Sequence, residues 1–95
     1  MAIVFDPEKN AHNIATRGIS FEEAAAFDWS ASSIGRDLRR DYGEDRYIAV
    51  GPIRDRLHVL VFTIRGADIR VISLRRANDR EQAAHAEKAR PLSDR

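Results

Sequence analysis

The chain contains no cysteine, which removes a disulfide framework, a thiolate metal site and a cysteine nucleophile together. Its three histidines, His12, His58 and His85, fall on separate segments and show no metal-ligand spacing. HExxH, EF-hand and GxSxG signatures are absent, as is a glycine-rich phosphate loop, and no cofactor is expected. The longest apolar stretch, LHVLVFTI at 57–64, is far shorter than the roughly 20 residues of a bilayer span. The opening MAIVFDPEKN has no basic and apolar leader pattern, so a cytoplasmic protein without membrane contact is expected. Low complexity and internal repeats are also missing. A net charge of +1 is too small to mark a nucleic-acid binder by itself.

What remains is 95 residues, 43% hydrophobic and 33% charged, the composition of one soluble domain with a modest core. The domain is taken as residues 1–95, with 91–95 a frayed tail. IVF is a candidate small strand, and Asp6-Pro7 after it is an N-cap followed by proline at the first helical position. That helix should end at Gly18 and bury Ala11, Ile14 and Ala15. A second helix should follow at once, with Ser20 and Glu23 as its capping box and Ile19 stapled to Ala24. Its acidic FEEAAAF argues against a DNA-reading helix-turn-helix. SASSI reads as a short strand and GRDLRRDYGEDR as an exposed connection. RYIAVGPI should stop at Gly51-Pro52, and RLHVLVFTIR, apolar on both faces, should be the central strand. IRVISLRR is the last strand, and Asn78 with Glu81 opens a closing helix whose inner stripe is only alanine. The expectation is an α+β fold: two N-terminal helices, a three- to four-stranded antiparallel sheet and a C-terminal helix.

The segment RVISLRRANDRE carries four arginines in twelve residues. From 65 to 95 eight basic residues face five acidic ones, and arginine, the residue suited to bidentate phosphate contact, dominates lysine. Codon bias accounts for the composition equally well. In a regular strand Arg70 faces opposite to Ser73 and Arg75, and Arg76 rejoins the Arg70 face unless a bulge intervenes, so no simple register gathers all the arginines. Arg75, Arg76 and Arg80 cluster at the strand-to-helix corner, where the helix N-terminus would add to an anion site. The competing reading pairs these arginines with Asp79, Glu81 and the acidic loop at 41–45. Cleaving RNA without a metal needs a base for the 2′-hydroxyl, cations for the crowded phosphate and an acid for the leaving oxygen. Glu44, Tyr42, Tyr47, His85 and Lys9 are the groups that could exchange protons.

FDPEKNAHNIATRGISFEEA, DYGEDRYIAVGPI, RLHVLVFT and RVISLRRANDRE, taken in that order, resemble the BrnT toxins over about residues 5–81. The resemblance implies a RelE-like fold and a metal-independent ribonuclease that inhibits translation as part of a type II toxin–antitoxin module. It also implies a BrnA-like ribbon-helix-helix antitoxin as partner, with operator DNA contacted indirectly through that complex. By motif position Arg70 and Arg75 are the implied toxicity residues, Glu44 and Arg46 the Glu-x-Arg pair, and Lys9 the first-helix lysine. Together with the chemistry above, this makes Arg70, Arg75, Glu44 and His85 the expected catalytic set. Lys9, Arg46, Arg76 and Arg80 are the expected RNA contacts. Two positions depart from the family pattern. Thr16-Arg17-Gly18 stands where relatives have Lys-His-Gly, and His85 stands for a tyrosine. They leave an attenuated toxin, or a non-catalytic transcriptional corepressor in the antitoxin–operator complex, as the alternative.

Overall fold

Helix α1 (Pro7–Arg17) starts as its sequence dictates: the Asp6 carboxylate accepts the Glu8 N–H at 2.9 Å, and Gly18 ends the helix at φ 71°. Its buried side is the reverse of the expected one. Ala11, Ile14 and Ala15 face solvent, and Asn13 is the buried residue of the helix. Asn13 Nδ2 donates to the carbonyls of Ile19 and Leu74, both at 2.9 Å, and Asn10 Oδ1 accepts the Phe21 N–H at 2.7 Å. Two amide side chains therefore hold the helix where an apolar stripe was expected.

The computed structural model describes residues 2–88, so the expected frayed tail at 91–95 lies outside the described residues. After α1 comes a 3-10 helix (Phe21–Ala26) in place of the second α-helix. Phe21, Ala24 and Phe27 are spaced by three and all buried, the period that a 3-10 turn aligns on one face. Ser20 caps this segment through the Glu22 N–H at 3.2 Å, and Ile19 and Ala24 are both buried. Glu23, expected to complete the box, pairs with Arg54 at 2.7 Å instead. A second 3-10 turn (Trp29–Ala31) leads into the sheet.

The sheet has five strands and is mixed, not three or four antiparallel ones. They are β1 (Ile3–Val4), β2 (Ser33–Arg36), β3 (Tyr47–Ile53), β4 (Arg56–Arg65) and β5 (Asp68–Arg76), in the order β1-β5-β4-β3-β2. β1 pairs parallel with β5 at Ile69 and Arg70, and the remaining pairs are antiparallel. β4 occupies the centre, as its two apolar faces require. β3 runs through Gly51-Pro52 to Ile53, and the chain turns at Arg54, whose φ is 57°. Gly51 serves contact rather than turning: a Cβ there would lie 2.8 Å from the Phe27 ring and from Ser32 Cβ.

One face of the sheet carries Ala49, Leu60, Phe62, Val71 and Leu74 against Ile19, Phe21, Ala24 and Phe27. Trp29 and Tyr47 extend this layer through ring contacts with Phe62, centroids 5.3 and 5.5 Å away. Helix α2 (Asp79–Lys88) and the loop at 37–46 lie toward the opposite face. The α2 cap forms as expected: Glu81 N–H donates to Asn78 Oδ1 and Asn78 N–H donates to Glu81 Oε1, at 2.8 and 2.9 Å. None of its residues is fully buried.

Candidate functional site

β5 contains a bulge. Val61 pairs with Ser73 and Phe62 with Val71, leaving Ile72 as the extra residue. Arg70, Ser73 and Arg75 pair with Thr63, Val61 and Val59, which are two apart on β4 and so share one face. The bulge thus turns Arg70 and Arg75 to the same side of the sheet, the side toward α2. Arg76 pairs with His58 and projects to the other face. His58 is the hydrogen-bonded core residue that its apolar strand suggests: its Nδ1 lies 2.8 Å from the Arg56 carbonyl. Burial, with the nearby charges of Arg76 and Arg56, holds its pKa below the usual histidine value.

The two face arginines differ in what they touch. Arg75 makes a bidentate pair with Glu81, both bonds 2.7 Å, which raises the arginine and draws the glutamate down from 4.5 to about 2. Arg70 is half-buried and makes no side-chain hydrogen bond or ion pair among the described residues. Arg80, in the first turn of α2, is exposed and likewise makes no side-chain hydrogen bond or ion pair among the described residues. Self-neutralisation, the competing expectation, therefore applies to Arg75 and leaves Arg70 free.

The loop at 37–46 closes the Arg70 end of this face. Thr63, the cross-strand neighbour of Arg70, donates its hydroxyl to the Asp45 carbonyl at 2.7 Å. Glu44 beside it sits between Arg46 at 3.5 Å and Arg65 at 3.1 Å. Arg46 stacks over the Tyr42 ring at 4.2 Å, and its buried Nε has no hydrogen-bond partner. Asp37, expected in an exposed connection, has a side chain only 1% exposed. The Arg39 guanidinium grips it through two bonds, 2.8 and 2.7 Å, and Tyr42 donates its hydroxyl at 3.0 Å. Arg39 above all, then its backbone N–H and Tyr42, keep Asp37 well below the usual carboxylate range despite burial. Arg39 also lies near enough to Arg75 to oppose its charge. Asp37, Arg39 and Tyr42 carry no mark of a unit in the sequence, because their spacing in a polar loop resembles any solvated connection.

The other expected residues are dispersed. His85 lies on α2 beside Ser33, Val50 and Lys88, with a buried Nδ1 that finds no partner. Lys9 is exposed on α1, in a groove of about 790 Å³ that runs between this helix and Ile72-Ser73 of β5. Among the described residues no three His, Asp or Glu side chains gather in a way that could hold a metal ion. No helix there is long and apolar enough to cross a membrane.

The class is an α+β domain with a mixed five-stranded sheet that presents two arginines of a bulged strand on one face. Residues 5–81 match the family described as the ribonuclease toxin, BrnT, of type II toxin–antitoxin systems, and the chain belongs to that family. Its structure is similar to the crystal structure of the Brucella abortus ribonuclease toxin BrnT, at TM-score 0.66 and 25% identity, over 83% of this chain and 99% of that one. Comparison with curated proteins yields no match.

Proposed function

We propose that the chain is a metal-independent endoribonuclease that acts in the cytoplasm to inhibit translation, and that a BrnA-like ribbon-helix-helix antitoxin neutralises it. The observation that carries this reading is the bulge at Ile72, which brings Arg70 and Arg75 to one face. RNA is cut when a ribose 2′-oxygen attacks the adjacent phosphorus and the 5′-oxygen leaves, giving a 2′,3′-cyclic phosphate and a 5′-hydroxyl. Negative charge builds on the phosphate oxygens in that step, and fixed guanidinium groups stabilise it. Arg70 supplies an unengaged cation. Arg75 becomes available as phosphate takes the place of the Glu81 carboxylate, an exchange of one anion for another. Arg46 and Arg80 flank this face and Lys9 extends it toward α1. Glu44 serves here to position Arg46 and Arg65.

Labelled RNA incubated in EDTA with the purified chain tests the reading, alongside Arg70→Ala and Arg75→Ala. Cleavage by the wild type, lost in both folded variants, is the expected result. An intact substrate, with tight binding to an antitoxin–operator complex, would instead favour the corepressor, a reading that the Arg75–Glu81 pairing supports.

A further inference from the structure

The groove beside α1 is lined on one side by a row of helical residues. Lys9, His12 and Thr16 follow at intervals of three and four, so they stand above one another on one helix face. Asn13 lies next to that row and ties the helix to the Leu74 carbonyl, which fixes the row relative to β5. Across the groove stands Ser73, which is also the residue between Arg70 and Arg75 on their shared face. Ser73 is thus common to the groove wall and the arginine face. Its volume of about 790 Å³ falls in the range of small-molecule sites.

His12 is exposed, and no protein group among the described residues bonds its ring; the hydrogen bond it makes is through its backbone carbonyl, to the Thr16 hydroxyl. The other two histidines are less suited to proton exchange here. His58 is buried on the opposite face, and His85 sits beneath α2 against β3. Resting on the ribonuclease reading, we propose that this groove seats the nucleotide next to the scissile phosphate and that His12 is the catalytic residue that takes the 2′-hydroxyl proton. The neutral imidazole accepts that proton as the O2′–P bond forms. The P–O5′ bond breaks and O5′ takes a proton from water. The imidazolium then returns its proton to solvent. Lys9 and Arg17, which also line the groove, hold the neighbouring phosphate. Asp6 and Glu8 are the acidic groups that line the groove and Lys9 and Arg17 the basic ones, while β5 brings only Ile72 and Ser73 to its wall.

The test is RNA cleavage in EDTA from pH 5 to 9 by the wild type, His12→Gln and Ile14→Ser, the last altering the outer face of the same helix. A titration of the wild type with uridine 3′-monophosphate, followed by imidazole NMR, accompanies it. The expected loss in His12→Gln is about 10²–10⁴-fold, with the acid-side fall in rate abolished, while Ile14→Ser retains its rate. The nucleotide should shift the His12 resonances and leave those of His58 in place. If the wild type cleaves RNA and folded His12→Gln stays within threefold of it, the role of His12 is overturned and the ribonuclease reading stands. If the wild type does not cleave, the ribonuclease reading fails. A saturable His12 shift would then keep the groove as a nucleotide site, and its absence would overturn that as well.

Discussion

Asn13 is the side chain that α1 depends on, and its loss should be costly in a way that its polar character would not suggest. The residue is 4% exposed, and its amide nitrogen meets two carbonyls, Ile19 and Leu74, at 2.9 Å each. Asn13→Ala leaves both acceptors without a donor inside a packed site. At ~1–3 kcal/mol for each unsatisfied buried group, softened by partial water entry, the expected loss is about 2–4 kcal/mol. Set against a domain stability of ~5–15 kcal/mol, this leaves a folded but weakened protein. With a urea slope of ~2 kcal/mol/M, the midpoint should fall by ~1–2 M. Asn13→Asp separates donor from shape: it preserves size but replaces the donating nitrogen with an acceptor, so it should cost at least as much as alanine. Ile14→Ser removes the largest apolar residue of the helix from a position 46% exposed and should stay within ~0.5 kcal/mol. If Asn13→Asp were tolerated, or Ile14→Ser cost more than Asn13→Ala, the helix would be held by apolar packing and not by the Asn13 amide.

Gly51→Ala should destabilise by ~1–3 kcal/mol, because the new Cβ meets the Phe27 ring and Ser32 Cβ at 2.8 Å; thermal unfolding should show a drop of at least ~4 °C. Glu81 stabilises the fold while ionised. Its fall from 4.5 to about 2 caps that contribution at ~3.4 kcal/mol, and screening of a pair 26% and 34% exposed reduces it to about 1–2 kcal/mol. Because the folded value is the lower one, the contribution is complete above pH ~5 and is lost as pH falls toward 2. The stability gap between wild type and Glu81→Gln should therefore narrow from pH 5 to 3, and a gap independent of pH would refute the assignment. In RNA binding, Arg70→Ala should lower the slope of log K against log salt by ~0.7, the share of one phosphate contact, whereas Arg76→Ala, on the other face, should leave it unchanged.

Much of this architecture was readable because local chemistry and tertiary contacts agree. Asp6-Pro7, Gly18 and the Asn78–Glu81 box mark helix ends by groups within a few residues of each other, and each forms as the sequence implies. β4 declares itself through its continuous apolar run. The errors fall where a distant partner decides. Ala11, Ile14 and Ala15 repeat at helical spacing, but the Asn13 amide donates to two carbonyls across the fold, Asn10 accepts the Phe21 N–H, and the stripe is turned outward. Glu23 fits a capping box until Arg54, 31 residues on, takes its carboxylate. β1 escaped the sheet count because two residues carry no periodicity, and its pairing depends on β5 alone.

The bulge is the most instructive case, since the candidate site turns on it. Ile69, Val71 and Leu74 are the buried apolar residues of β5, spaced by two and then by three. A step of three in a strand is the mark of one inserted residue. Ile72 hides that mark, because it is apolar too and makes 69–74 read as an ordinary two-faced strand. With the insertion at Ile72, Arg70 and Arg75 join one face and Arg76 leaves it. Without it, Arg70 would share a side with Arg76, and Arg75 would stand alone. A single residue of phase thus decides which guanidinium groups share a face. It also places Ile72 and Ser73 in the wall of the α1 groove, with Ser73 shared by the arginine face. The irregularity that disrupts the ladder is therefore the feature that assembles the face, as expected where strand geometry is bent to aim side chains at a ligand.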